Sequence, residues 1–173
     1  LFPLAEEHGC DFMFEASVCG GIPIIGPMKT SMAGNKINSI MGIVNGTTNY
    51  MLSKMADEHL DYDEVLKDAQ EKGYAESDPT ADVGGLDAAR KVVILASIAF
   101  NTRFSLDDVK VEGIENVEAC DIKYASSLGY AVKLLGIAKN DTENGVTLRV
   151  TPTMIPLGHP LAGVNGVYNA VFV

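Results

Sequence analysis

One helical segment constrains the fold of this chain more than any other part of its sequence. Residues 92–100 are almost all apolar, so a helix there has no polar face and its body must be buried. Gly84 and Gly85 precede the segment and are predicted to lie in the loop that leads into this helix. The chain has 173 residues, 47% of them hydrophobic, which is enough for one domain with a core of the size this helix needs.

Asp87 and Lys91 lie four residues apart at the start of this helix, so their side chains project from the same face. Such a pair is most often a solvated surface ion pair. An apolar helix leaves little solvated face, however, and a lysine partly buried beside a carboxylate can hold a proton ready for a carbonyl oxygen. The spacing alone leaves both interpretations open.

An acidic loop leads into the helix. It contains Glu76, Asp78 and Asp82, and it follows Gly73, which is predicted to end the preceding helix. The aspartate spacing of an EF-hand is absent, which argues against a dedicated calcium site. Several carboxylates pointing into one cleft would suit a substrate with an ammonium group, and an ordinary acidic loop is the alternative.

Gly46 and Thr47 form a second candidate ligand site. They follow a predicted strand at residues 37–44 and precede a predicted helix, and ligands often bind where a strand ends and a helix begins. A simple helix N-cap explains the same residues equally well.

Glu15 lies within an apolar run, residues 11–18, which predicts a short buried strand. A buried carboxylate without a partner is costly, and a salt bridge to a lysine is the simpler prediction. The glycines in residues 18–22 allow tight backbone, which together with Glu15 could instead hold a hard cation through oxygen atoms.

The remaining pattern predicts an α+β fold in which a mixed sheet packs on helices. The strand at residues 37–44 carries apolar residues on both faces and is predicted to be an inner strand. Other strands are predicted at residues 109–114, in a hairpin of 130–138 with 146–151, and at 168–173, with helices at 2–8, from 23, after 45, at 61–73 and at 120–129.

Composition excludes several classes of protein. A net charge of −10 argues against nucleic-acid binding, and the apolar stretches are too short to cross a bilayer. Three cysteines without Cys-x-x-Cys spacing indicate reduced thiols in a cytoplasmic protein. No dinucleotide-binding glycine fingerprint occurs. Because the chain begins without methionine and stops within a predicted strand, we expect it to be a piece of a larger protein.

The segment from Ala69 to Lys91 resembles the signature of homoserine dehydrogenases: Ala, three residues, Gly-Tyr, then Asp-Pro, Asp-Val, Gly, Asp, three residues and Lys. The resemblance continues upstream through Glu15-Ala-Ser-Val-Cys-Gly-Gly-Ile-Pro and Ile43-Val-Asn-Gly-Thr-Thr-Asn-Tyr. Downstream it includes Thr151-Pro-Thr-Met-Ile-Pro and His159-Pro-Leu-Ala, so it covers essentially the whole chain.

The resemblance implies NAD(P)-dependent interconversion of L-homoserine and L-aspartate 4-semialdehyde, on the route to threonine, methionine and isoleucine. It implies that Lys91 donates the proton to the aldehyde oxygen and that Asp87 orients this lysine or a water beside it. Glu76 would bind the amino group of the substrate. The rest of the implied pocket consists of Asp82, Tyr74, Gly46 and Thr47.

The resemblance also implies a sodium site at Glu15, completed by main-chain oxygens of Val18, Gly20 and Ile22, which favours the cation over the salt bridge. The implied fold is similar to the C-terminal domain of glyceraldehyde-3-phosphate dehydrogenases. Residues 1–173 would be the catalytic and dimerisation domain of a homodimer, without cofactor-binding residues and inactive alone. A related semialdehyde or amino-acid dehydrogenase and a non-catalytic ligand-binding or oligomerisation module are the alternatives.

Overall fold

The computed structural model describes residues 2–143 and 145–173. These residues form a five-stranded sheet, ordered β2-β4-β3-β1-β5, with helices packed on it. The predicted α+β class is confirmed. The strands are β1 (Ser39–Ile43), β2 (Val109–Val111), β3 (Tyr130–Asp141), β4 (Gly145–Pro156) and β5 (Ala170–Phe172). The helices are α1 (Phe2–Glu7), α2 (Ile25–Lys29), α3 (Gly46–Glu58), α4 (Tyr62–Glu71), α5 (Thr80–Val83), α6 (Leu86–Ala99) and α7 (Ala119–Ser127), with 3₁₀ turns at Leu106–Asp108 and Pro160–Gly163.

The β3–β4 hairpin is the centre of the sheet. Its strands pair antiparallel from Tyr130 opposite Pro156 to Asp141 opposite Gly145, so both strands are longer than the sequence predicted. Strand β1 pairs antiparallel with both β3 and β5, which confirms that it is an inner strand. The parallel pairing of β2 with β4 makes the sheet mixed.

Helix α6 packs on one face of this sheet. Its inward side is buried, and it meets a core that includes Leu134 of β3 and Val150 of β4. A Cβ atom on Gly136 would lie 2.4 Å from Cγ2 of Val92, so the helix approaches β3 too closely for any side chain there. Burial of residues such as Val92 and Leu95 contributes about 1.5–3 kcal/mol each. The prediction that this helix is buried is confirmed for its inward side, whereas Val93, Ile94 and Ile98 are only partly buried.

The Pro160–Gly163 turn packs against the opposite face of the sheet. Leu135 and Ile137 of β3 pack there with Ile155 and Leu161 in a second buried cluster. Strand β3 is therefore buried on both faces, as its nearly continuous apolar sequence requires.

One predicted element is wrong. Residues 11–18 form no strand, and Met13 is 89% exposed. An apolar run becomes a strand only where a neighbouring strand can satisfy its backbone. Here Glu15 of the segment instead bonds to the amides at the start of α2. Within the part of the chain that the structure describes, no helix is long and apolar enough to cross a membrane.

Candidate active site

The centre of the candidate site is the first turn and a half of α6. Lys91 Nζ donates to Asp87 Oδ2 at 2.6 Å and to the carbonyl oxygen of Val44 at 2.9 Å. The Lys91 side chain is 22% exposed and that of Asp87 is 30% exposed, so the pair is neither a solvated surface bridge nor fully buried. An ammonium group carries three N–H donors, and these two bonds leave one for a ligand oxygen.

Asn45 joins three parts of the chain at this point. It follows β1, and its Nδ2 donates to Asp82 Oδ1 at 2.7 Å and to Asp87 Oδ2 at 2.9 Å. Its Oδ1 accepts from the amide of Thr48 at 2.9 Å and so caps α3. Asn45 is only 6% exposed. Because one oxygen of Asp87 accepts from both Asn45 and Lys91, the carboxylate is fixed from two sides.

Sequence reasoning missed Asn45 as a site residue. The N-cap expected at this turn is Asn45 itself, but the second use of its amide depends on α5 and α6 folding back against β1. The available signal was an asparagine at the end of a strand, beside a candidate ligand turn, in a chain whose acidic loop needs hydrogen-bond donors.

The Gly46–Thr47 turn is connected to the acidic loop. Thr47 Oγ1 donates to the carbonyl oxygen of Tyr74 at 2.6 Å. The Tyr74 ring packs against that of Tyr50, with centroids 4.8 Å apart. Two of the predicted pocket residues, Thr47 and Tyr74, therefore lie together near the start of α3.

The charged side chains of Asp68, Lys72 and Lys54 form a cluster that holds the Tyr50 hydroxyl. Its hydroxyl donates to Asp68, and Lys72 Nζ donates to the Tyr50 hydroxyl at 2.8 Å. A hydrogen bond from Lys54, with further ones from Tyr50 and Lys72, holds the pKa of Asp68 well below its usual range. The cluster stays ionised and so fixes the Tyr50 ring on which Tyr74 packs.

The other carboxylates of the acidic loop have different surroundings. Asp78 Oδ1 accepts from the hydroxyl and the amide of Thr80, at 2.6 and 3.2 Å, which lowers its pKa and orders the start of α5. Glu76 is exposed, and its carbonyl oxygen accepts from Gln70 Nε2 at 3.1 Å. Of the four carboxylates, the structure thus brings Asp82 and Asp87 together through Asn45, while Asp78 orders the loop.

Glu15 is bound by the start of α2. Its Oε1 accepts from the amides of Ile24 and Ile25, at 2.7 and 2.6 Å, and its Oε2 accepts from that of Gly26 at 2.8 Å. The Gly26 amide, with smaller effects of the other two, lowers the pKa of Glu15 despite an opposing effect of burial. The salt bridge to a lysine that the residues alone favoured is therefore wrong.

The predicted cation ligands are compatible with this arrangement. Among the described residues, no backbone hydrogen bond outside helices and strands uses the carbonyl oxygens of Val18, Gly20 or Ile22. These oxygens and an ionised Glu15 are the hard donors that Na⁺ takes. In the described part of the chain no cluster of three His, Cys, Asp or Glu residues could hold a metal, so a cation here would depend on main-chain oxygens.

Cys19 belongs to the same loop. Burial raises the pKa of the Cys19 thiol to about 11, against an opposing effect of the Lys91 charge. Cys19 has a φ of 49° and is 1% exposed. The charge of Lys91 therefore influences Cys19 in the loop of residues 18–22.

Comparison with known proteins agrees with the signature. The family profile described as homoserine dehydrogenase matches residues 23–173. A homoserine dehydrogenase of Synechocystis sp. is 54% identical over 176 aligned positions, which cover 100% of this chain and 41% of that protein. The crystal structure of a homoserine dehydrogenase from Thiobacillus denitrificans superposes with a TM-score of 0.96 at 47% identity, over 98% of this chain and 39% of that one.

A more distant relative carries a ligand. A hyperthermophilic archaeal homoserine dehydrogenase solved in complex with NADPH matches with a TM-score of 0.80 at 29% identity, over 98% of this chain and 48% of that chain. The chain itself spans about two fifths of the length of the curated relative from Synechocystis.

Proposed function

This chain belongs to the homoserine dehydrogenase family, and from this premise we propose that it is the catalytic and dimerisation domain of an enzyme that interconverts L-homoserine and L-aspartate 4-semialdehyde with NAD(P). The observation that carries the proposal is the joint placement of Lys91, Asp87 and Asn45 at the start of α6. The enzyme's place would be the aspartate route to threonine, methionine and isoleucine.

Lys91 supplies the proton in this proposal. Reduction of an aldehyde develops negative charge on its oxygen, and a fixed ammonium stabilises that charge and donates the proton. Asp87 and the Val44 carbonyl hold two of the ammonium donors, so the remaining N–H has a defined direction. Asn45 in turn keeps Asp87 in place, and Asp82 accepts from the same amide.

The substrate pocket is proposed to lie between this pair and the acidic loop. Glu76 and Asp82 carry negative charge suited to the substrate ammonium group. Tyr74, Gly46 and Thr47 complete the lining, supported by the Thr47–Tyr74 hydrogen bond and the packing of Tyr74 on Tyr50.

In this proposal the domain does not itself hold the dinucleotide. The described sheet is mainly antiparallel, in the order β2-β4-β3-β1-β5, and not the parallel doubly wound sheet that binds dinucleotides. We propose that the remainder of the enzyme holds NAD(P), which supplies the hydride when bound. The NADPH complex of the archaeal relative supports this choice of cofactor. Sodium would be held by Glu15 and the carbonyl oxygens of Val18, Gly20 and Ile22.

A homodimer and a cytoplasmic location are part of the proposal. Leu128 and Leu157 are 69% and 59% exposed, and their backbone segments meet, since the Leu157 amide donates to the Gly129 carbonyl at 3.0 Å. Exposed apolar patches mark association surfaces. Cys10, Cys19 and Cys120 are free thiols, as in reducing compartments.

The test is substrate discrimination by the full-length enzyme. With NADPH, we expect L-aspartate 4-semialdehyde to be reduced with a kcat/KM at least about 100-fold above that of succinate semialdehyde, which lacks the amino group, because that analogue leaves Glu76 and Asp82 without their proposed ammonium partner. Equal use of both aldehydes would indicate a different semialdehyde dehydrogenase. No turnover of either would favour the non-catalytic module.

A further inference from the structure

A second lysine is buried more deeply than Lys91. Lys133 of β3 is 2% exposed, and its Nζ donates to the carbonyl oxygen of Val164 and to Asn165 Oδ1, both at 2.8 Å. Two residues of α3 complete its surroundings, with Asn49 Oδ1 at 3.2 Å and Ser53 Oγ at 3.4 Å. None of the carboxylates in the described residues forms a salt bridge with it.

Burying an ammonium in this position costs desolvation free energy, which its hydrogen bonds must offset. Burial lowers the pKa of Lys133 to about 8, and Asp57 on α3 opposes this shift through its charge. An apolar side chain of the same length would avoid the cost of desolvation. The described partners of Lys133 are all oxygens, and three ammonium N–H donors suit them better than the two of a neutral amine.

The hydrogen bonds of Lys133 hold one segment of the chain, residues 164–168, which connects the Pro160–Gly163 turn to β5. Asn49 acts on the same segment: its Nδ2 lies 3.1, 2.9 and 3.0 Å from the carbonyl oxygens of Val164, Gly166 and Tyr168. The Gly166 amide donates to Ser53 Oγ at 3.2 Å. Segment 164–168 is thus fastened to α3 from both of its ends.

The held segment lies directly against the candidate substrate turn. A Cβ atom on Gly46 would lie 2.8 Å from the carbonyl oxygen of Val167, so the two backbones touch. Gly46 begins α3, next to Thr47 and to Asn45. Any outward movement of residues 164–168 removes the support of this turn.

We propose that Lys133 is a positioning residue of the active site: it fastens segment 164–168 to α3 and thereby fixes the Gly46–Thr47 turn on which substrate binds. This inference rests on the proposed function, because it takes that turn to be part of the substrate pocket. Lys133 acts through segment 164–168 and does not itself touch the substrate.

The test compares Lys133→Met with Lys139→Met in the full-length enzyme. Lys139 lies on the same strand but is exposed and pairs with Asp141 at 3.5 Å. Lys133→Met should raise the KM for L-homoserine about tenfold with kcat within about threefold of wild type, because a lost support of the binding turn weakens ground state and transition state alike. Lys139→Met should change neither constant.

A second variant covers the case in which Lys133→Met does not fold. Asn165→Ala removes one acceptor of the ammonium from an exposed residue, and it should raise the same KM about threefold, the loss of a single hydrogen bond. Both variants are also measured by hydrogen–deuterium exchange, in which peptides containing residues 45–48 and 164–168 should exchange faster than in wild type.

The outcomes separate the inference from the proposed function. Folded variants with an unchanged KM and unchanged exchange in residues 45–48 would overturn the positioning role, even if their melting temperature fell. A wild-type enzyme without homoserine dehydrogenase activity would contradict the proposed function instead. Exchange would then still report on the fastening of segment 164–168: faster exchange in residues 45–48 would support it, and unchanged exchange would overturn it.

Discussion

Lys91 and Lys133 are two lysines in different environments. Lys91 is partly exposed and donates to a carboxylate, Asp87, at 2.6 Å. Lys133 is 2% exposed, and its described partners are neutral oxygens of the backbone and of amide and hydroxyl side chains. In our proposals, the first arrangement presents a charged donor to a ligand, whereas the second uses a charged donor to hold the chain. The difference shows that burial and the charge of the partner, and not residue type, separate the proposed reacting lysine from the supporting one.

Removing the charge beside Lys91 should have a large effect on turnover. Asp87→Asn keeps a hydrogen-bonding side chain next to Lys91 and Asn45 but removes the negative charge, and we expect kcat of the full-length enzyme to fall about 100-fold. The matched control is Glu71→Gln, which breaks the exposed Lys67–Glu71 pair at 4.0 Å. The control should leave kcat unchanged. If Asp87→Asn also left kcat unchanged, the Asp87–Lys91 pair would be no more important for turnover than the surface pair.

Asn45→Ala should weaken the Lys91 environment indirectly. It removes the amide that holds Asp82 and Asp87, so we expect kcat/KM to fall about 30-fold, together with a loss of about 1 kcal/mol of stability from the missing helix cap. Asp61→Ala removes the capping box of α4 and should cost similar stability without loss of activity. If both variants lose activity equally, the effect of Asn45 is only on folding.

The pH dependence of stability should distinguish Lys133. Its pKa is about 8 in the folded chain, against 10.5 for a solvated lysine side chain, so between these values the unfolded state binds more protons and stability rises with pH. Relative to Lys133→Met, the wild-type free energy of unfolding should increase by about 2 kcal/mol between pH 7 and about pH 9.5. Urea denaturation at the two pH values measures it, and a constant difference would place the Lys133 ammonium in a solvated environment.

Local sequence pattern predicted the elements that carry Lys91. The i, i+4 spacing of Asp87 and Lys91 and the apolar body of α6 depend on neighbours within one helix, and both are present in the structure. The strand expected at residues 11–18 failed because a strand also needs a partner, which no local pattern reveals.

The environment of Lys133 was invisible to the same reasoning. In the sequence it is one polar residue in a hairpin strand, and its burial arises from Asn49, 84 residues away, and from Val164 and Asn165, 31 and 32 residues away. The bridging role of Asn45 has the same origin, since Asp82 and Asp87 lie 37 and 42 residues from it. Contacts across such separations follow from the packed fold and not from periodicity.

The most direct test of the central claim is the turnover of Lys91→Met in the full-length enzyme. We predict that kcat falls by at least about 1,000-fold, because the proton donor to the aldehyde oxygen is lost, while NADPH affinity measured by fluorescence titration stays within about twofold. Lys110→Met, an exposed lysine on β2, is the control and should behave as wild type. A kcat for Lys91→Met within tenfold of wild type would contradict the role of Lys91.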